Sequence, residues 1–297
     1  MRFFAELVVA GLAIGSIYAL IALGFVLVYK ATRVFNFAQG ELVMIGTYVS
    51  LALIQTGMFG TYGAFLLVIL ISFGLGLVLE RVFLRPMIGE PVVSVLMLTI
   101  GLAMVLRSTT GLIWGPSERV FPPLFSQEPL ALGAMHVSRV HVAIGVLSFA
   151  FLGLFFLFFR YTRMGLAMRA AASDQDHALL LGISVKRVVA VSWGIASLVA
   201  ALGGISLANL ITVNLNINLV GLQAFPAAIL GGLDSVVGVV IGGLIIGVVE
   251  SLAGGYLDPL IGGGLRGVKH VAGFVILVAI LLVRPYGLFG TREIERI

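Results

Sequence analysis

The chain has no cysteine, only three lysines and two tryptophans, and charged side chains make up just 10% of it. Without cysteine there is no disulfide framework, no thiol chemistry and no thiolate metal site. None of the lysines follows a glycine, and no Gly-x-x-x-x-Gly-Lys-Ser/Thr run occurs, so the chain cannot supply a phosphate-cradling P-loop of its own. The four histidines, His136, His141, His177 and His270, are dispersed and lack the spacing of metal ligands. No combination of nucleophile, base and orienting residue emerges, which disfavours an enzyme. Polar intervals are also too short to bury a core of their own, so one integral domain over residues 1–297 is expected.

Apolar sequence fills the space left by these absences. Of 297 residues, 60% are hydrophobic and the mean hydropathy is +1.17. Repeated runs approach the roughly 20 residues that a bilayer-crossing helix needs. The fold class is therefore an all-α polytopic membrane protein with about 8–10 transmembrane segments. Nine runs carry this reading: Leu7 to Tyr29, Gly40 to Thr56, Thr61 to Glu80, Val92 to Ile113, His141 to Phe159, Val188 to Leu210, Gln223 to Gly232, Val236 to Leu252 and Val268 to Val283. The first is too long for a signal-peptide core and lacks a cleavage site, so it counts as a span. The seventh is too short to cross alone. With the N-terminus outside, twelve Lys and Arg residues fall on the inner side and five on the outer, with Arg107 inside a span. That places the long polar segment and the C-terminus in the cytoplasm, and the net charge of +5 reflects topology rather than nucleic-acid binding.

Within the spans, Gly11 and Gly15, Gly238 and Gly242, and Gly243 and Gly247 each place two small residues on one helix face, a signature of close helix packing. Gly231, Gly232 and Asp234 form a helix break, with Asp234 and Ser235 able to cap the next helix. Together with the short run before it, this suggests a discontinuous helix whose irregular backbone is buried or lines a cavity. Asn36, Gln39 and Glu41 form the other polar insertion. They are either a helix entry at the cytoplasmic headgroups or the lining of the inner end of a pathway. Arg107, followed by Trp114, is expected to snorkel to the outer interface. Glu250 falls near the end of its run, where an interfacial and a functional role are equally open. On the outer face, Trp114 to Val140 and Thr212 to Gln223 form polar loops, and Glu118 and Arg119 are candidates for receiving a soluble partner.

The longest polar interval, Arg160 to Arg187, asks for an explanation of its own. Ala170 to Leu181 reads as one short helix exposing an Ala/Leu face, with Ser173 and Asp174 able to cap it and Gly182 able to end it. Such a helix either inserts into a groove on a soluble partner or rests on lipid headgroups.

Asp176-x-Ala178-x-x-x-Gly182 resembles the acidic-Ala-Ala-x-x-x-Gly motif of ABC importer permeases, with His177 where Ala is usual. The longer run RAAASDQDHALLLGIS, Arg169 to Ser184, is similar to that of the branched-chain amino-acid permease family. So are GSIYALIALGF and NFAQGELVMIGTY within Gly15 to Tyr48, FPAAILGGLDSVVGVVIGGLIIGVVE from Phe225 to Glu250, and RPYGLFG from Arg284 to Gly290. This resemblance covers most of the chain in the family's order. It implies an ABC importer permease fold in a bacterial or archaeal inner membrane, with residues 160–187 as the cytoplasmic coupling segment. Asp174, Asp176, His177, Ala178, Leu179, Leu181 and Gly182 would contact an ATPase. The implied partners are a paralogous or identical second permease, two ATP-binding cassette subunits and an extracytoplasmic binding protein, in membrane lipid. ATP and Mg would be used by the ATPase subunits, with no cofactor on this chain. Branched-chain or other apolar amino acids are the implied substrates, with amides or urea, or a pentose or nucleoside, as alternatives. An ion-coupled transporter would need intramembrane ionisable groups, and Glu41 and Glu250 are the candidates. A channel would need a filter, and none is evident.

Overall fold

The computed structural model describes residues 2–125, 128–132, 135–260 and 267–290. Arg266, Arg292 and Arg296 of the charge census lie outside them. The long helices are α1 (Arg2–Thr32), α2 (Gln39–Gln55), α3 (Gly60–Leu79), α4 (Val92–Trp114), α5 (Arg139–Tyr161), α8 (Val185–Ala208), α10 (Val236–Leu260) and α11 (Val268–Val283). Two short helices, α6 (Arg163–Ser173) and α7 (Gln175–Leu180), precede α8, and the 13-residue α9 (Leu219–Gly231) precedes α10. Among the described residues, six helices are long and apolar enough to span a membrane, accompanied by the shorter apolar stretches Leu215–Gly231 and Val268–Val283. The bounds of α11 coincide with the run read from sequence, and α2, α3 and α4 differ from theirs by about a residue at either end. An addition to the all-α expectation is an antiparallel pair, β1 (Pro129–Leu132) with β2 (Met135–Ser138), just before α5.

Helices α1 and α8 form the centre. Ile17, Leu20, Ile21, Leu23 and Trp193 are almost wholly buried, whereas α3, α4 and α5 turn Leu66, Leu112 and Leu154 outward, as lipid-facing helices do. The two glycine pairs on α1 and α10 face one another. A Cβ at Gly15 would lie 2.7 Å from the Gly243 carbonyl oxygen, and one at Gly247 would lie 2.3 Å from the Gly15 Cα. Backbones approach this closely only where both helices lack side chains. Gly238 and Gly242 serve the α9–α10 contact in the same way, against Gly231 and Ala227.

Three features bear on the expectations for the buried backbone and for α10. First, the break at Gly231, Gly232 and Asp234 separates α9 from α10 as a tight turn at the end of the bundle that carries Lys30 and Arg33, with Gly231 and Gly232 buried and Leu233 and Asp234 lining a small cavity beside Tyr29. Gly232 takes φ 97°, Lys30 donates to the Asp234 carbonyl (2.8 Å), and Arg33 lies 3.9 Å from its carboxylate. Ser235, rather than Asp234, accepts the backbone N–H of Gly238. The last carbonyls of α9 are met by the RPYGLFG segment, whose Leu288 and Phe289 N–H groups donate to Leu230 and Gly231. Second, α10 continues to Leu260, so Glu250 is well inside it, buried and accepting a 2.7 Å hydrogen bond from Tyr18. Third, irregular backbone is also buried among the helices in the α1–α2 connector.

The glycine contact predicts a measurable asymmetry. Gly247→Ala should lower stability by about 1–3 kcal/mol, because the added methyl meets backbone that cannot yield. Gly153→Ala, where a Cβ meets nothing within 4 Å, should be neutral or slightly stabilising. Thermal unfolding of both purified variants checks this, and equal midpoints would contradict the packing account.

Candidate pathway and coupling segment

The connector between α1 and α2 turns back into the bundle instead of staying at its surface. Arg33 begins the reversal with φ 57°, and Asn36 stabilises it by accepting the Ala38 N–H at 3.1 Å. Gln39, the first residue of α2, donates to the carbonyl of Ala196 at 3.1 Å. Ala196 is midway along the 24-residue α8, about 17 Å from its start. Gly24 makes this possible, since a Cβ there would overlap the Gln39 amide nitrogen. On the far side, the Phe37 N–H is 3.4 Å from the Thr99 hydroxyl of α4. Asn36 and Gln39 are fully buried and Glu41 is 7% exposed, so all three are enclosed by the surrounding helices.

Glu41, in the first turn of α2, accepts a 2.8 Å hydrogen bond from the side-chain amide of Asn218. Asn218 ends a single 3₁₀ turn, Leu215–Asn218, that runs directly into α9. The two segments touch through glycine: a Cβ at Gly40 would lie 2.2 Å from the Asn218 carbonyl oxygen, and one at Gly221 would lie 2.4 Å from the Gly40 Cα. Thus α2 begins and α9 begins at the same depth inside the bundle. The sequence reading put Thr212 to Gln223 in an outer loop and so missed Asn218. The available signal was Asn214, Asn216 and Asn218 recurring in an apolar stretch. Arg107 is half-buried, and its guanidinium donates to Asn216 at 3.0 Å. Asn214 in turn donates weakly to Glu118 at 3.4 Å, and the Arg119 backbone pairs with Val213.

An aromatic group lines the approach from the basic end. Phe225 of α9 makes ring contacts with Phe25, Phe35 and Phe37, and Tyr29 packs on Phe35.

At that end the single helix expected over Ala170 to Leu181 is two helices, α6 and α7, broken at Asp174. Its extended backbone (φ −155°, ψ 116°) ends one helix, and its side chain accepts the His177 N–H at 2.9 Å to cap the next. Gly182 (φ 78°) closes α7: its N–H donates to Leu179 and that of Ile183 donates to Ala178, a Schellman ending. Ala178 faces inward, buried with Met168 and Ala171 against α1 and α8. It therefore offers nothing directly to a partner. Leu179, Leu180 and Leu181 are 56%, 83% and 79% exposed, and Asp176 and His177 are exposed beside them. Two hydrogen bonds tie this region to the connector. Gln175 donates to the Ala31 carbonyl at 3.0 Å, and Arg33 donates to that of Ala172 at 3.1 Å.

A bundle of membrane-length apolar helices with a buried polar connector and an exposed pair of short helices is the architecture of a multi-pass membrane protein. The sequence profile described as "Branched-chain amino acid transport system / permease component" matches residues 7–283, and the chain belongs to that family. It is 35% identical to the high-affinity branched-chain amino acid transport system permease protein LivH of Salmonella typhimurium, over 99% of this chain and 98% of that one. Identity to BraD of Pseudomonas aeruginosa is 32% with the same coverage, and to a probable LivH of Methanocaldococcus jannaschii 31% over 93% and 89%. Among solved structures, PsaBC from Streptococcus pneumoniae in complex with Fab covers 97% of this chain and 94% of its own at 15% identity, with a TM-score of 0.49. Family membership excludes the enzyme, and it sets aside the ion-coupled alternative that the burial of Glu41 and Glu250 would otherwise have strengthened.

The cap of α7 predicts a pH dependence. Hydrogen bonds from the His177 backbone and then its ring hold the Asp174 carboxyl below its ordinary value, and the hydrogen bond and charge of Asp174 raise the His177 imidazole above its own. The Asp174 share is lost as pH falls through its lowered value, and the His177 share as pH rises through its raised one. Protection of the amides of 175–182 from hydrogen exchange, corrected for intrinsic rate, should therefore be greatest between the ordinary values of 3.8 and 6.5. Asp174→Asn should flatten that profile, and a flat profile in the unaltered chain would contradict the assignment.

Proposed function

We propose that this chain carries branched-chain amino acids inward by alternating access, driven by ATP hydrolysed on separate subunits that seat on α7. The observation that carries the reading is the run of exposed leucines at Leu179 to Leu181 on a helix capped at both ends and fastened to the α1–α2 connector. Three neighbouring leucines open to water are costly unless something covers them, at roughly 1.5–3 kcal/mol for each side chain left unburied. A groove on an ATPase subunit suits them, with Asp176 and His177 at its rim.

In this reading, residues 1–297 act as one permease domain, the basic end with α6 and α7 faces the cytoplasm, and the N-terminus lies outside. A second permease copy or paralogue completes the pathway, two ATPase subunits use ATP and Mg, and this chain binds neither. A binding protein delivers substrate at the opposite end, with Glu118 and Arg119 beside its landing surface. When the ATPases close, α7 moves with them. Gln175 and Arg33 pass the displacement to Ala31 and the connector, and so to Asn36, Gln39 and Glu41, which line the pathway. Each nucleotide state must favour one arrangement of this connector, or it can shift no population.

Leu180→Asp should reduce co-purification of the ATPase subunits at least tenfold while leaving the second permease bound, since the side chain is 83% exposed and supports no core. Quantified pull-down from detergent-solubilised membranes checks this. Undiminished ATPase recovery would move the docking surface elsewhere.

A further inference from the structure

We propose that Glu41, Asn218 and Arg107 together form a subsite for the zwitterionic head of a free α-amino acid, with Met104, Leu219 and Leu222 contacting its aliphatic side chain. The proposal rests on the amino-acid importer reading above and adds to it where, and by which atoms, the substrate is held inside the permease.

Two observations carry it. The first is an unmet hydrogen-bonding need. Asn218 is only 9% exposed and spends its amide N–H on Glu41, leaving its side-chain carbonyl oxygen buried without a donor. An orphaned buried acceptor costs about 1–3 kcal/mol, and its natural complement here is a cationic N–H donor. Glu41, held beside it, presents a second acceptor bearing charge. An α-ammonium group has three donors and a positive charge, enough to satisfy both oxygens at once.

The second observation is the opposite charge nearby. Arg107 reaches Asn216, two residues before Asn218, and is half exposed with donors to spare beyond the one given to Asn216. Its planar fork matches a carboxylate. Carboxylate and ammonium of an α-amino acid are separated by a single carbon, so an ammonium held by Glu41 and Asn218 would direct its carboxylate toward Asn216, where Arg107 is bonded. An amide, urea or sugar brings no charge to either group. That contrast favours an amino acid over the other substrates the sequence left open.

The apolar wall follows from helix spacing. Met104 stands one turn before Arg107 on α4, and Leu219 and Leu222 share a face at the start of α9 next to Asn218. All three are exposed, at 67%, 44% and 51%, so they present apolar surface without repacking the core.

The test uses the complete transporter, with its second permease, ATPase subunits and binding protein, reconstituted in liposomes. Photo-leucine, an aliphatic diazirine amino acid, is supplied with ATP and illuminated during turnover. Label should appear in peptides containing Met104 or Leu219 to Leu222 and be suppressed by excess leucine. Label confined to other segments would overturn the subsite even if leucine uptake is normal, whereas absence of ATP-dependent leucine uptake in the unaltered complex would instead overturn the importer reading. Glu41→Gln, close in shape but uncharged, should cut uptake at least tenfold and abolish the label, with the thermal midpoint unchanged. Arg107→Lys should retain more uptake than Arg107→Gln. Uptake within twofold of normal in both Glu41→Gln and Asn218→Ala would refute the assignment.

Discussion

In hydrocarbon every backbone N–H and C=O must find its partner within the protein, and the α1–α2 connector is a stretch where this chain leaves the helical ladder inside the bundle. Everything around it is arranged to satisfy that stretch. Gln39 bonds the α8 backbone, Asn36 bonds its own chain two residues on, and Thr99 of α4 approaches the Phe37 N–H. Gly24, Gly40 and Gly221 supply the room, because a methyl at any of them would strike the connector or the start of α9. The result is a polar segment at the depth of the middle of α8, positioned by rigid helices on three sides.

Polar side chains held there are costly to keep and so point to a task, and the connector is also the link between the two ends of that task. Its near end is bonded to α6 and α7 through Arg33 and the Ala31 carbonyl, and its far end carries Glu41 against Asn218. The glycine-lined contacts of α1 with α10 and of α9 with α10 offer the surfaces along which helices can shift with little steric change.

Much of this was legible in the sequence where the physics is local. Apolar runs marked the helices because a bilayer demands them, and Gly11 with Gly15, like Gly243 with Gly247, declared a packing face before any partner was known. Asp174 and Gly182 marked the ends of α7 because capping depends on the residue itself. What could not be read was depth and distance. Nothing in Asn36 to Glu41 says that the chain turns inward, since that depends on a glycine at position 24 and a carbonyl at position 196. Asn218 looked like loop because its partner is 177 residues away, and Glu250 stayed open between an interfacial and a functional role because its partner Tyr18 is 232 residues away. The break at Asp174 was missed for a different reason: Ala and Leu on both sides favour one continuous helix, and only the geometry against α1 favours two.

The central claim is that motion of α7 reaches Glu41 through the connector, and the ratio of leucine transported to ATP hydrolysed tests it most directly. Replacing both Gln175 and Arg33 with Ala removes the two side chains that make the link. The account predicts a reconstituted complex that still assembles and still hydrolyses ATP at close to the normal rate, with leucine moved per ATP reduced at least tenfold. An unchanged ratio would contradict it and require that the ATPases drive the pathway by another route.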